Sequence, residues 1–158
     1  MTETQDEKEG TFLVTHAEAD SAVLKDVHDG QVHALAENPG VEERDVLDAT
    51  LAPEPPLRVA WRVVDVESRR SLSIERSDEP PTAQEREIAA HQEVGELTRR
   101  DRAGVGEIHV LSVEPERVRE AVDDVIDDEG TPSRAARLGV ARVEVRAADG
   151  VVSVRYLP

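Results

Sequence analysis

Asp26-Val27-His28-Asp29-Gly30-Gln31-Val32-His33 is the stretch on which the reading of the first half turns. Asp-Gly between two alternating segments predicts a β-hairpin with a two-residue type I′ turn, because that turn needs positive φ at both central residues. It pairs His28 with Gln31, Val27 with Val32, Asp26 with His33 and Leu24 with Leu35, within strands at residues 21–28 and 31–36. Before it, residues 11–16 form a short apolar strand. After it, Asn38-Pro39-Gly40 marks a loop. Residues 45–51 make a weaker strand, and Pro53, Pro55 and Pro56 break the chain. Leu57, Val59, Trp61 and Val63 alternate with Arg58, Ala60 and Arg62, which predicts a half-buried strand. Residues 67–70 turn it, and Leu72 and Ile74 return. Short antiparallel strands at this spacing predict a small β-barrel or rolled sheet, a form that leaves few exposed edges.

The second half mixes helix and strand. Thr82-Ala83-Gln84-Glu85 is a capping box that starts a helix after Pro81. Residues 94–100 fit either its last turn or a strand. Residues 107–113 form a strand with Ile108, Val110 and Ser112 on one face. Pro115 opens a helix. Its apolar stripe is Val118, Ala121, Val122, Val125 and Ile126, and its wet face is Glu120, Asp123, Asp124, Asp127 and Asp128. Thr131-Pro132 caps a further helix that ends at Gly139. Residues 141–147 and 151–157 flank Asp149-Gly150 as a second hairpin. The fold class is α+β: a small antiparallel β-barrel or rolled sheet, then a layer of helices on one face of an antiparallel sheet. The expected domains are an acidic disordered tail at 1–9, a β domain at 10–78 and an α+β domain at 82–158, with Asp78-Glu79-Pro80-Pro81 as the boundary.

The 158 residues carry 35 Asp and Glu against 19 Lys and Arg, a net charge of −16. Only Lys8 and Lys25 are lysines, and there is no Cys. The absence of Cys excludes disulfide scaffolds, thiolate metal sites and thiol nucleophiles. No apolar run reaches the roughly 18 residues of a membrane span, so no membrane partner is expected. Carboxylate excess with few lysines fits the cytoplasm of an organism that accumulates salt, where like-charge repulsion is screened.

Two groups of residues are candidate sites. Asp26, His28 and His33 fall on one hairpin face, and imidazole with carboxylate is a zinc or nickel ligand set that His16 extends. Arg99, Arg100, Arg142, Arg146 and Arg155 run against the acidic trend, and arginine forks bind phosphate bidentately. The only nearby stacking aromatic is Tyr156. Ala103-Gly104-Val105-Gly106 is a turn, because a strand follows it where a phosphate loop needs a helix. No Gly-x-Ser-x-Gly elbow or other catalytic motif is present.

The segments Glu9-Gly10-Thr11-Phe12-Leu13-Val14-Thr15-His16, Asp26 to His33, Arg134 to Arg146 and Asp149 to Pro158 together resemble an uncharacterised haloarchaeal family, a domain of unknown function. That resemblance implies a halophilic cytoplasm and brings no activity. Asn38-Pro39-Gly40-Val41 to Asp45-Val46-Leu47 resembles the approach to a strand in small RNA-binding barrels of the OB type. Those barrels carry Gly before the Asp, where Arg44 stands here. The leading expectation is a non-enzymatic binding or protein-interaction module without a cofactor, its partner another protein or a second copy. An RNA-associated module using the arginines and a small metal-dependent hydrolase around His28 and His33 are the alternatives.

The charge has a measurable consequence. The Debye length grows from ~3 Å at 1 M salt to ~10 Å at 0.1 M, so folded circular dichroism is expected to disappear below about 0.5 M KCl. Full cooperative stability in about 50 mM salt contradicts that expectation.

Overall fold

The computed structural model describes residues 6–158. The acidic tail expected at 1–9 lies outside the described residues as far as residue 5, and Lys8 and Glu9 belong to the first strand. The chain divides into two compact units, one ending at Leu72 and one spanning Ser73–Pro158.

The first unit contains β1 (Lys8–Ala17), β2 (Ala22–Asp26), β3 (Val32–Leu35), β4 (Asp45–Pro53) and β5 (Trp61–Ser71). They close into a barrel in the order β1-β2-β3-β5-β4. The ladder is mixed, where a wholly antiparallel barrel was expected, because β3 and β5 run parallel. An odd number of strands cannot close with every neighbour antiparallel, so one parallel seam is unavoidable. Side chains alternate along each strand. The inward set is Phe12, Val14, Ala22, Leu24, Leu35, Leu47, Ala49 and Leu51, with Trp61 and Val63 packed against it.

The first hairpin differs from the two-residue turn. Asp26 N–H donates to Gln31 O at 2.9 Å, and Gly30 N–H donates to Asp26 O at 2.8 Å. The loop is therefore Val27-His28-Asp29-Gly30, and within it only Gly30 has positive φ, at 78°. Leu24 pairs with His33 and Lys25 with Val32, a shift of two residues from the expected register. A two-residue slip preserves the faces, so the inward and outward sets survive.

Two further expectations fail in this unit. Residues 57–60 are not strand: Leu57 and Val59 stand 78% and 77% exposed in the β4–β5 loop. That loop folds on itself, with Glu54 N–H donating to Ala60 O and Arg58 N–H to Glu54 O. Residues 67–70 are not a turn but the second half of β5. Carboxylates on β4 hold them in the ladder: Asp48 accepts from Ser68 Oγ at 2.6 Å, and Asp45 accepts from Arg69 and Ser71 at 2.7 Å each.

The second unit contains β6 (Ser73–Arg76), α1 (Ala83–Ala90), β7 (Leu97–Asp101), β8 (Glu107–Ser112), α2 (Val118–Asp127), α3 (Gly130–Leu138), β9 (Arg142–Ala148) and β10 (Val151–Leu157). Its sheet has the order β6-β9-β10-β8-β7. Ile74, expected to return within the barrel, lies in β6, which pairs parallel with β9. The capping box at Thr82 and Glu85 forms, and Gly139 ends α3 with φ of 76°. Thr131 is not the cap of α3. It lies inside the helix and its hydroxyl donates to Val125 O at 2.7 Å. Nor do the helices share one face. Arg76 pairs with Asp123 of α2 and Glu107 with Arg134 of α3 on one side. Arg155 pairs with Glu85 of α1 on the other. The strand register assigns these sides, since directly paired residues point the same way.

Arg44, before β4, has φ of 72°, a left-handed conformation that costs a residue with a Cβ about 1–2 kcal/mol. Its N–H donates to Val14 O and its carbonyl accepts from Leu72 N–H, so the conformation is fixed. Arg44→Gly is expected to raise stability by up to about 1 kcal/mol, and Arg44→Val to lower it by about 1–2 kcal/mol. Denaturant midpoints in high salt check this; a glycine variant less stable than the parent contradicts it.

Candidate functional site

The hairpin residues singled out as metal ligands do not converge. His28 is exposed in the loop. Asp26 is buried and its Oδ1 accepts from the backbone N–H groups of His28 and Asp29, at 2.8 and 3.2 Å. His33 is buried, with ring centroids 5.7 Å from Phe12 and 4.7 Å from Trp61, both edge-to-face. His16 lies 3.4 Å from Glu18. Among the described residues no group of three His or acidic side chains has metal-holding geometry.

A lysine occupies the place a metal was expected to take. Lys8 Nζ lies 2.7 Å from Asp29, 3.1 Å from Gln31, 3.0 Å from His33 Nε2 and 3.4 Å from Asp26. An ammonium only donates, so His33 Nε2 is an acceptor and the ring proton sits on Nδ1. That Nδ1 is buried without a partner among the described residues. Burial, and then the Lys8 charge, pushes the His33 pKa below its ordinary value. Sequence reasoning missed Lys8 because it stands in an acidic run without apolar pattern. The signal was its rarity, as one of two lysines.

Arg100, Arg142, Arg146 and Arg155 lie on one face of the sheet, and Arg99 points to the other. Arg146 Nε bonds Glu144 at 2.7 Å, and its Nη2 lies 2.8 Å from Glu79. Arg155 Nη1 bonds Glu85 at 2.6 Å, and its Nε lies 2.9 Å from Glu144. Glu85 is 1% exposed and also accepts from Thr82 N–H. Burial alone would raise its pKa; the Thr82 N–H and the Arg155 guanidinium hold it below the ordinary value. Arg99 and Arg100, adjacent on β7, point to opposite faces of the sheet. Arg142 on β9 is three strand spacings from β7, about 14 Å. Arg99, Arg100 and Arg142 are exposed.

A third cluster was not anticipated. Glu107 Oε1 accepts from Arg134 Nε and Nη2 at 3.0 and 2.8 Å and lies 2.8 Å from His109 Nε2. The His109 ring is 4.9 Å from that of Tyr156. The two-residue spacing of Glu107 and His109 on a strand was visible, but Arg134 joins them only through the packing of α3. One carboxylate oxygen contacting a guanidinium and an imidazole is held ionised, so Glu107 is a fixed anion and not a proton donor. Burial lowers the His109 pKa and raises that of Tyr156.

A family model described as a family of unknown function (DUF5812) matches residues 8–147, and the chain belongs to that family. No curated protein and no solved structure matched the chain. The matched span opens at Lys8, the residue that gathers the hairpin cluster.

The folded barrel favours neutral His33, while the unfolded chain takes up a proton near pH 6.5. The stability His33 contributes is therefore complete above pH 6.5 and is lost as pH falls toward its folded value. An NMR titration is expected to place the His33 midpoint below 6.5. In Lys8→Met it rises but stays below 6.5, because burial is the larger cause. A parent midpoint at or above about 6.5 contradicts this.

Proposed function

Taking that family membership as the premise, we propose that the protein is a non-enzymatic binding module of a haloarchaeal cytoplasm, whose barrel contacts another protein. One observation carries this reading. Val32 on β3 and Leu57 and Val59 in the β4–β5 loop are 64%, 78% and 77% exposed, in a chain of net charge −16. Exposed large aliphatics in so acidic a chain mark interaction surfaces, and Leu57 and Val59 stand two residues apart in one loop. Five-stranded barrels of the OB type use their strand 2–3 face and the loop between strands 4 and 5 for binding.

The partner class follows from charge. Residues 10–79 hold 15 acids against 7 bases, so a phosphate backbone is repelled by the barrel's surroundings. An aliphatic protein surface carries no such penalty. Salt at molar concentration weakens phosphate contacts further and leaves apolar burial intact. Carboxylate excess with two lysines supports the halophilic setting. Among the described residues no helix is long and apolar enough to cross a membrane.

The test is affinity capture from native cells in 2 M KCl, comparing the parent with Leu57→Asp/Val59→Asp. The parent is expected to retain a defined protein in stoichiometric amount, insensitive to nuclease, and the double variant to lose it while keeping its circular dichroism. Recovery of nuclease-sensitive RNA, or equal recovery by both chains, contradicts the proposal.

A further inference from the structure

The sheet of the second unit ends on one side at β7, whose only ladder partner among the described residues is β8. The five pairs, from Leu97 with Leu111 to Asp101 with Glu107, run without a register shift. Arg102 N–H donates to Gly106 O, and Ser112 N–H donates to Glu96 O, both at 3.1 Å. Bonded pairs alternate along an antiparallel ladder. Residues 96, 98, 100 and 102 thus turn their peptide groups toward β8. Leu97, Arg99 and Asp101 turn theirs toward the open edge.

Open edges are normally blunted by bulges, proline or lysine. β5 shows such a device, with register shifts against β4 at two places. β7 carries a bulge only at its entry, where Gly95 and Glu96 both bond Ser112; its five pairs are regular and contain neither Pro nor Lys. Its flanks are apolar and exposed, with Val94, Leu97 and Val105 at 62%, 46% and 51%. Arg58, Arg62, Arg69, Arg76, Arg134, Arg146 and Arg155 each have a carboxylate within reach. Arg99 and Arg100 make no ion pair among the described residues, one on each face of the sheet. On the Arg100 face a groove between α1 and β7 is lined by Gln84, Glu87, Ile88, His91 and Thr98, so Arg100 faces one carboxylate across it.

We propose that β7 is a docking edge for an extended, acidic and aliphatic segment of another protein, which adds to the sheet as a sixth strand. The main chain supplies the hydrogen bonds and alternate side chains supply the choice of partner. Carboxylates on either side of the added strand meet Arg99 and Arg100, and aliphatic residues cover Leu97 and Val105. A second copy paired about Arg99 sets that arginine against its like, and a chain that is dimeric through β7 in 2 M KCl without the probe overturns the proposal. This surface belongs to the second unit and is independent of the aliphatic group on the barrel.

The experiment is NMR of the full chain in 2 M KCl with a seven-residue probe, Val-Glu-Glu-Val-Glu-Glu-Val, which carries carboxylates and aliphatic residues on both faces of a strand. The expected result is chemical-shift change and slowed amide exchange at Leu97, Arg99 and Asp101. Arg99→Glu/Arg100→Glu is expected to weaken binding by about threefold or more, since molar salt screens all but contact-distance pairs. Arg99→Pro removes an outward donor without touching the β8 ladder and is expected to abolish it. Circular dichroism checks both variants, and the charge reversal remains decisive if the proline variant unfolds. The proposal is overturned if the probe leaves residues 97–101 unchanged. It is equally overturned if Lys replacing Glu binds as well, if the charge reversal binds undiminished, or if an oligouridylate shifts these amides and the acidic probe does not.

Discussion

The barrel depends on what the Asp26 carboxylate does with its two oxygens. Oδ1 accepts from two consecutive backbone N–H groups and so closes a four-residue loop. Oδ2 faces the Lys8 ammonium at 3.4 Å. The loop sets the β2–β3 register, which puts His33 opposite Leu24 and inside the barrel, between Phe12 and Trp61. The approach of Oδ2 is close enough that a Cβ at position 10 would lie 2.9 Å from it, which explains glycine there. One side chain thus ties the start of β1 to the hairpin and removes the site a metal would need.

The second unit is organised by a comparable economy of charge. Glu85 completes the cap of α1 and bonds Arg155 on the sheet, so one carboxylate starts a helix and fixes where it packs. Arg155 in turn reaches Glu144, and Arg146 joins Glu144 to Glu79. A buried ion pair adds little net stability, since desolvation offsets the attraction, but breaking one partner strands the other. The chain of pairs therefore specifies how α1 meets the sheet more than it strengthens the unit. The core beneath is built from valine and alanine, including Val110, Val143, Val145 and Ala135, each at most 1% exposed. Small β-branched residues suit strands but bury little area per residue.

The two Asp-Gly turns show what was legible and what was not. At Asp149-Gly150 both residues have positive φ, 51° and 82°, and the two-residue turn forms as the dipeptide indicates. At Asp29-Gly30 the same dipeptide yields to Asp26, whose side chain offers the backbone a longer loop. Local signals of this kind were readable when no nearby side chain competed: the capping box, the end of α3 at Gly139 and the sheet strands at 107–112 and 151–157. β5 was misread because its second half is exposed on both faces and shows no alternation. Lys8, and Arg134 over Glu107, were hidden for a different reason. Their partners are 18 or more residues away in sequence, where neither spacing nor periodicity reaches. Arg44 was legible as an oddity, standing before the Asp where small OB-type barrels carry glycine, and its positive φ gives that oddity a physical meaning.

The most direct test of this account is the pattern of cross-strand Hα–Hα contacts in the first hairpin, from nuclear Overhauser spectra of the full chain in high salt. Close Hα pairs occur at non-hydrogen-bonded positions of an antiparallel ladder. With the Asp26-capped loop those are Lys25 with Val32 and Val23 with Ala34. A tight two-residue turn would instead pair Val27 with Val32 and Lys25 with Ala34. Observation of the first set supports the role given to Asp26, and observation of the second contradicts it.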